Sequence, residues 1–177
     1  MSEPVTHAMN GEIAFEPALR ERVALLKGLD VAVIDRVIAN RITLARGGAA
    51  LVATMRANGA WTALVSGGFE HFTRRIGAML GFDENRANTL LAQDGRLSGT
   101  VAEPILGRQA KAEALRDIAA RLGIDRDAVI AVGDGANDLD MLALAGSGVA
   151  LHAKPSVAER AAIRIDHADL TALLYLQ

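Results

Sequence analysis

Apolar residues recur at three- and four-residue spacing through roughly the first sixty positions and then collect into short continuous runs between further helical stretches. The first pattern predicts an amphipathic helix over Glu16 to Lys27, with Pro17 near its first turn and Gly28 just past its end. Asp30 opens a second short helix reaching Asn40. Gly47 to Asn58 (GGAALVATMRAN) reads as a third helix ending at Gly59, and Thr62 to Val65 (TALV) is a buried apolar run of strand length. A helix over Phe69 to Leu80 follows, stopped by Gly81. Asp94-Gly95, set between two short runs within Thr89 to Val101, predicts a β-hairpin.

The second half alternates more regularly. It predicts a helix over Arg108 to Leu122, a strand over Ala128 to Val132 (AVIAV), a helix over Asn137 to Ala145 and a strand over Gly148 to Leu151. A helix over Ser156 to Ala162, a strand over Ile163 to Ile165 and a closing helix over Asp169 to Leu176 complete the series. Strands alternating with helices of this length imply an α/β fold, a parallel sheet covered on both faces with right-handed crossovers. The early helices stand outside that alternation. The chain is therefore expected to divide near Arg41 to Arg46 into a small helical part, 1–44, and an α/β core, 45–177.

A chain of 177 residues, 51% apolar and 23% charged, can bury one substantial core with a small appendage. Nineteen basic against 21 acidic residues give a net charge of −2 with no run of like charge, which argues against nucleic-acid or anionic lipid partners. No stretch approaches the roughly 20 apolar residues that span a bilayer. Met1 to Asn10 also lacks the basic and apolar regions of a secretory leader, so a cytoplasmic location is expected. Cysteine is absent, which excludes disulfides, thiolate catalysis and thiolate-bound zinc. Any metal must be held by oxygen or imidazole.

Against that background three segments carry candidate chemistry. In Ala131 to Leu142 (AVGDGANDLDML) a strand runs into a Gly-rich turn holding Asp134, Asn137 and Asp138. Ligands of open α/β sheets bind at the carboxyl ends of strands, and such a set of oxygens suits a hard divalent cation. The same residues also suit a plain turn with a helix cap. Val65-Ser66-Gly67-Gly68-Phe69 follows its own strand, and a hydroxyl with successive unencumbered backbone amides makes a phosphate cradle. An ordinary loop with Ser66 as N-cap is the other reading. Lys111, near the start of its helix, has nothing local to distinguish it from a solvated face residue.

In this order and spacing the three segments resemble the second, third and fourth motifs of the haloacid dehalogenase superfamily. VSGGF, Asn88-Thr89-Leu90 followed by DGRLSG, GDGANDLDML and HAKPSV from His152 are similar to its phosphoserine phosphatase family, as are Met9 to Phe15 and Leu19 to Val23. The resemblance implies a Rossmann-like core with a small helical cap and Mg²⁺-dependent hydrolysis of O-phospho-L-serine, a small-molecule phosphomonoester. It implies that Ser66 and Gly67 bind the phosphoryl group, Lys111 neutralises its charge, and Asp134 ligates Mg²⁺. Asp138 would support the metal shell through water or a neighbouring group, and Asn137 would contact phosphate or substrate. In the cap, Arg22 would pair with the serine carboxylate while Met9 and Phe15 close over the ligand. A phosphatase of another small phosphomonoester, and a non-catalytic binding homologue, are the alternatives.

The family's first motif, Asp-x-Asp-x-Thr/Ser at the end of a first strand, supplies the nucleophile and the general acid and base. Met1 aligns within the cap, so the chain is expected to be N-terminally truncated, without that motif and without the central strand that carries it. Asp125-x-Asp127 precedes its strand, and Asp138-x-Asp140 lies two apart on a helix, so neither pair converges on one phosphorus. Two strands lacking their ladder partner should make the chain fold poorly, aggregate, or close the slot by pairing with each other.

Overall fold

A computed structural model of the chain describes residues 15–176. Three helices come first, α1 (Phe15–Ala24), α2 (Ala32–Arg41) and α3 (Gly48–Ala57). Asp30 opens α2 as expected, its Oδ1 accepting from the Ala32 N–H at 2.8 Å, one of the amides a helix start leaves unpaired. β1 (Ala63–Phe69), α4 (Glu70–Leu80) and β2 (Glu84–Asn88) follow, with β2 parallel to β1 and Ala63 opposite Glu84.

Nothing in the polar run Glu84-Asn85-Arg86-Ala87-Asn88 predicts a strand. It becomes one because α4 returns the chain beside β1 and Asp83 fastens the start. Asp83 Oδ2 accepts from the Thr62 N–H at 2.9 Å and from the Thr62 hydroxyl at 2.8 Å. The hairpin of β3 (Leu90–Gln93) and β4 (Arg96–Val101) turns where expected. Asp94 and Gly95 both have positive φ, 50° and 75°, as a two-residue type I′ turn requires.

The second half contains α5 (Arg108–Leu122), β5 (Ile130–Gly133), α6 (Leu139–Leu144), β6 (Ser147–Leu151), α7 (Pro155–Ala158) and β7 (Ile163–Ile165). Short 3₁₀ turns cover Ala136–Asp138, where the α-helix was expected to begin, and Leu170–Tyr175, where a closing α-helix was expected. The latter is fastened at its start by Asp169, whose Oδ1 accepts from the Thr171 N–H at 2.9 Å. β5, β6 and β7 pair in parallel in that order, and central β6 has Val149 and Ala150 fully buried.

The single parallel sheet expected from the alternation is divided: β1–β2, β3–β4 and β5–β6–β7 are separate. Among the described residues β1 pairs only with β2 and β5 only with β6, so the direct pairing of β1 with β5 does not occur. α5 lies against both β1 and α6, and α6 in turn lies against β5. β1 is consequently half-buried along most of its length rather than a buried core strand.

Two apolar cores result. Val23 and Ile34 of the early helices pack with Leu90, Leu97, Val101 and Ile105, so the hairpin shares the core of the helical part. Leu115, Ala131, Leu139, Leu142, Ala150 and Val157 form the other. Among the described residues no helix is long and apolar enough to cross a membrane.

Candidate active site

The loop leaving the carboxyl end of β5 is organised around Asp138, which is 3% exposed. Its Oδ2 accepts from the backbone amides of Asp134 at 3.1 Å and Gly135 at 3.0 Å. Its Oδ1 accepts from Lys111 Nζ, which reaches across from α5 with a side chain only 12% exposed. Lys111 is therefore no solvated face residue. Gly133 makes room for this arrangement, because a methyl built there would stand 2.4 Å from Asp138 Cβ.

Asp134 is exposed at the end of β5, and its carboxylate has no hydrogen-bond or ion-pair partner among the described residues. Asn137 is half-buried beside it, in the 3₁₀ turn. The two acids of the loop thus have separate employment: Asp138 shapes the loop and holds the lysine, whereas Asp134 is left open to a ligand.

The Ser66–Gly68 segment, expected as a loop following its strand, is instead part of β1, in the stretch where the register with β2 shifts between Val65 and Phe69. There Ser66 Oγ accepts from the Gly68 N–H at 3.0 Å, which leaves the hydroxyl hydrogen free to donate. Ser66 does not cap the following helix, since α4 begins at Glu70 with Phe69 at its N-cap. Phe15, the first residue of α1, lies on this segment of β1, its Cζ 3.3 Å from a methyl built on Gly67. Arg22 comes seven residues later, which places it on the same face of α1 about 10 Å along. It is exposed, and among the described residues no hydrogen bond or ion pair joins it to another candidate residue. Met9 lies outside the described residues.

Local sequence gives no sign of Arg108 and Asp140. Arg108 Nε donates to Asp140 Oδ2 at 2.8 Å and Nη2 donates to Oδ1, a bidentate clamp between α5 and α6. The hydrogen bonds from Arg108, with desolvation opposing, hold the Asp140 carboxyl below the usual carboxylate range. Asp138 and Asp140 each engage a different cation of α5, so this Asp-x-Asp pair does not converge on one ligand, as the helical spacing predicts. Asp125-x-Asp127 sits at the other end of β5, where Asp125 caps the turn Arg126–Ala128.

The family model of the haloacid dehalogenase-like hydrolases matches residues 4–143 of this chain. The chain belongs to this family. Among haloacid dehalogenase-like hydrolases it is 45% identical over 176 residues to the phosphoserine phosphatase of Streptomyces coelicolor, covering 99% of this chain and 43% of that one. It is 44% identical over 174 residues to the phosphoserine phosphatase of Polaromonas sp., covering 96% of this chain and 74% of that one. A solved substrate-bound phosphoserine phosphatase complex superposes with a TM-score of 0.88 at 40% identity, over 96% of this chain and 80% of that one. The chain thus spans from 43% to 80% of the lengths of these relatives.

The donor set at β5 fits a magnesium ion of the kind such hydrolases use. Among the described residues no three acids or histidines cluster, and the loop offers one open carboxylate, Asp134, with the Asn137 amide close by. Mg²⁺ accepts one or two carboxylates and fills its octahedron with water and substrate phosphate, so a crowded all-protein cage is not required.

Proposed function

We propose that this chain is the phosphoryl-binding body of a phosphoserine phosphatase, a cytoplasmic Mg²⁺-dependent hydrolase that converts O-phospho-L-serine to L-serine and phosphate. The observation that carries the reading is the buried Lys111–Asp138 pair, whose carboxylate also accepts from the backbone amide of exposed Asp134. A cation held in place away from water meets the spread negative charge of a transferring phosphoryl group without reorganising at the moment of reaction.

In this reading Ser66 donates its hydroxyl hydrogen to a phosphoryl oxygen, the Gly67 backbone approaches the same group, and Lys111 neutralises it. Asp138 holds Lys111 in place through their ion pair, and it orders the Asp134 and Gly135 amides. Asp134 would hold Mg²⁺, with Asn137 beside it; the ion, when bound, polarises the phosphoryl oxygens and offsets their charge. Arg22 would grip the serine carboxylate, for which a guanidinium is the natural bidentate partner. Phe15 and Met9 would cover the ligand. The 177 residues contain no Asp-x-Asp-x-Thr/Ser run, so the parts assigned here bind, orient and neutralise, and the attacking carboxylate is not among them.

Calorimetry with Mg²⁺ tests the reading. O-phospho-L-serine should bind saturably, and more tightly than O-phosphoethanolamine, which lacks the carboxylate. Arg22→Ala should erase that difference and spare phosphoethanolamine. Absence of binding by either ester overturns the proposal, and equal loss of both in Arg22→Ala overturns the assignment of the carboxylate.

A further inference from the structure

Three backbone groups from two separate segments, the end of β1 and the stretch before α5, converge on one buried side chain, that of Asn88, which is 2% exposed. It is the last residue of β2 and lies opposite Phe69 in the β1 register, at the end of β1 that carries Ser66. Its Oδ1 accepts from the Leu106 N–H at 2.7 Å. Its Nδ2 donates to the Gly67 carbonyl at 2.9 Å and toward the Leu106 carbonyl at 3.4 Å. The Leu106 N–H needs an acceptor, which fixes the end of the amide that is oxygen.

We infer that Asn88 is a positioning residue that joins the two halves of the phosphoryl cradle and sets the direction of the Ser66 hydroxyl, an inference that rests on the phosphatase reading above. The Gly67 C=O and the Gly68 N–H belong to one trans peptide and point in opposite directions. Holding the carbonyl on Asn88 therefore turns the Gly68 N–H the other way, where it donates to Ser66 Oγ at 3.0 Å. With a lone pair of that oxygen engaged, its hydrogen is left for the phosphoryl group. On the other side, Leu106 immediately precedes Gly107, the N-cap of α5, and Lys111 is the fourth residue of that helix. One amide thus ties the hydroxyl-bearing end of β1 to the root of the lysine-bearing helix.

Asn88→Asp keeps the size and the acceptor for Leu106, but it loses the donor and faces two carbonyl oxygens. Asn88→Ala removes the amide without burying a charge, and serves if the first variant does not fold. Thr73→Val is the control for lost stability, because buried Thr73 bonds Asn85 of the same strand at 3.1 Å and touches neither segment. Binding of O-phospho-L-serine and of inorganic phosphate in Mg²⁺ is measured on folded protein, with hydrogen exchange at the Gly68 amide followed in parallel.

The expected result is at least tenfold weaker phosphate binding and faster Gly68 exchange in the Asn88 variants, with affinity retained in Thr73→Val. If the unaltered chain binds and the Asn88 variants bind within twofold of it, Asn88 is structural only and the inference is overturned. An unprotected Gly68 amide in the unaltered chain also overturns it, whatever the affinities. If the unaltered chain binds no phosphate while its Gly68 amide is protected, the failure lies with the phosphatase reading, and the inference built on it goes too.

Discussion

The loop after β5 carries two carboxylates and meets a buried lysine, whereas the irregular end of β1 carries no charge from Val65 to Phe69 and works with a hydroxyl and backbone amides. The first loop is ordered by electrostatics. A carboxylate as buried as Asp138 would be costly without partners, and three donors converge on it. The second is ordered by peptide geometry, with Asn88 and Phe15 fixing a glycine backbone that has no side chain of its own. Phosphoryl transfer needs both kinds of preparation, fixed cations for the spread charge and directed hydrogen bonds for its oxygens.

The sharpest way to break the comparison is Asp138→Ala. It strands the buried Lys111 charge, and the expected loss is about 3–5 kcal/mol in urea unfolding. Asp134→Ala, four residues away, should change stability by no more than about 0.5 kcal/mol while removing the Mg²⁺ dependence of phosphate binding. Equal destabilisation by the two would refute the division between a framing acid and a ligand-facing one.

Ser66→Ala probes the uncharged segment and should have a smaller effect. A hydrogen bond to a charged group contributes about 1.5–3 kcal/mol, so phosphate affinity should fall roughly ten- to hundredfold in calorimetry, with circular dichroism unchanged. Undiminished affinity would remove the hydroxyl from the cradle.

A weaker effect is expected at the far end of β1. The Asp83 carboxyl lies below the usual carboxylate range, first because the Thr62 backbone N–H donates to it, with the Arg56 guanidinium also contributing. A carboxyl depressed in the folded state contributes its stability fully above the ordinary value of about 3.9, and loses it as pH falls through the lower folded value. Asp83→Asn should therefore flatten the acid limb of the stability profile, and an unaltered limb would show that the Thr62 contact is energetically idle. The smallest effect belongs to Arg164→Ala, which removes the exposed Arg164–Asp166 pair on β7 and should leave both unfolding midpoint and phosphate binding in place.

Elements with local signals were legible in the sequence. α5 begins and ends where its pattern predicts, β7 likewise, and the Asp94-Gly95 hairpin turns on the dipeptide that announces it. β2 was not legible, because what makes it a strand is α4 returning it to β1 and Asp83 binding Thr62, neither of which is written in ENRAN. The site divides the same way. The two segments are readable as motifs, but the burial of Lys111 depends on Asp138, 27 residues away, and the Arg108 clamp on Asp140, 32 away. Asn88 reads as a polar residue in a polar run until Gly67 and Leu106 are folded onto it.

Gly133 has a consequence for any survey of substitution tolerance. Its missing side chain is the space in which Asp138 sits, with Cβ and Oδ2 only 2.4 and 2.7 Å from where a methyl would be. No acid is shorter than aspartate, so no second-site suppressor at position 138 could make room and keep the carboxylate. In a saturation library position 133 should score among the least tolerant in the chain, with the profile of a catalytic residue, although glycine brings no reactive group to the reaction.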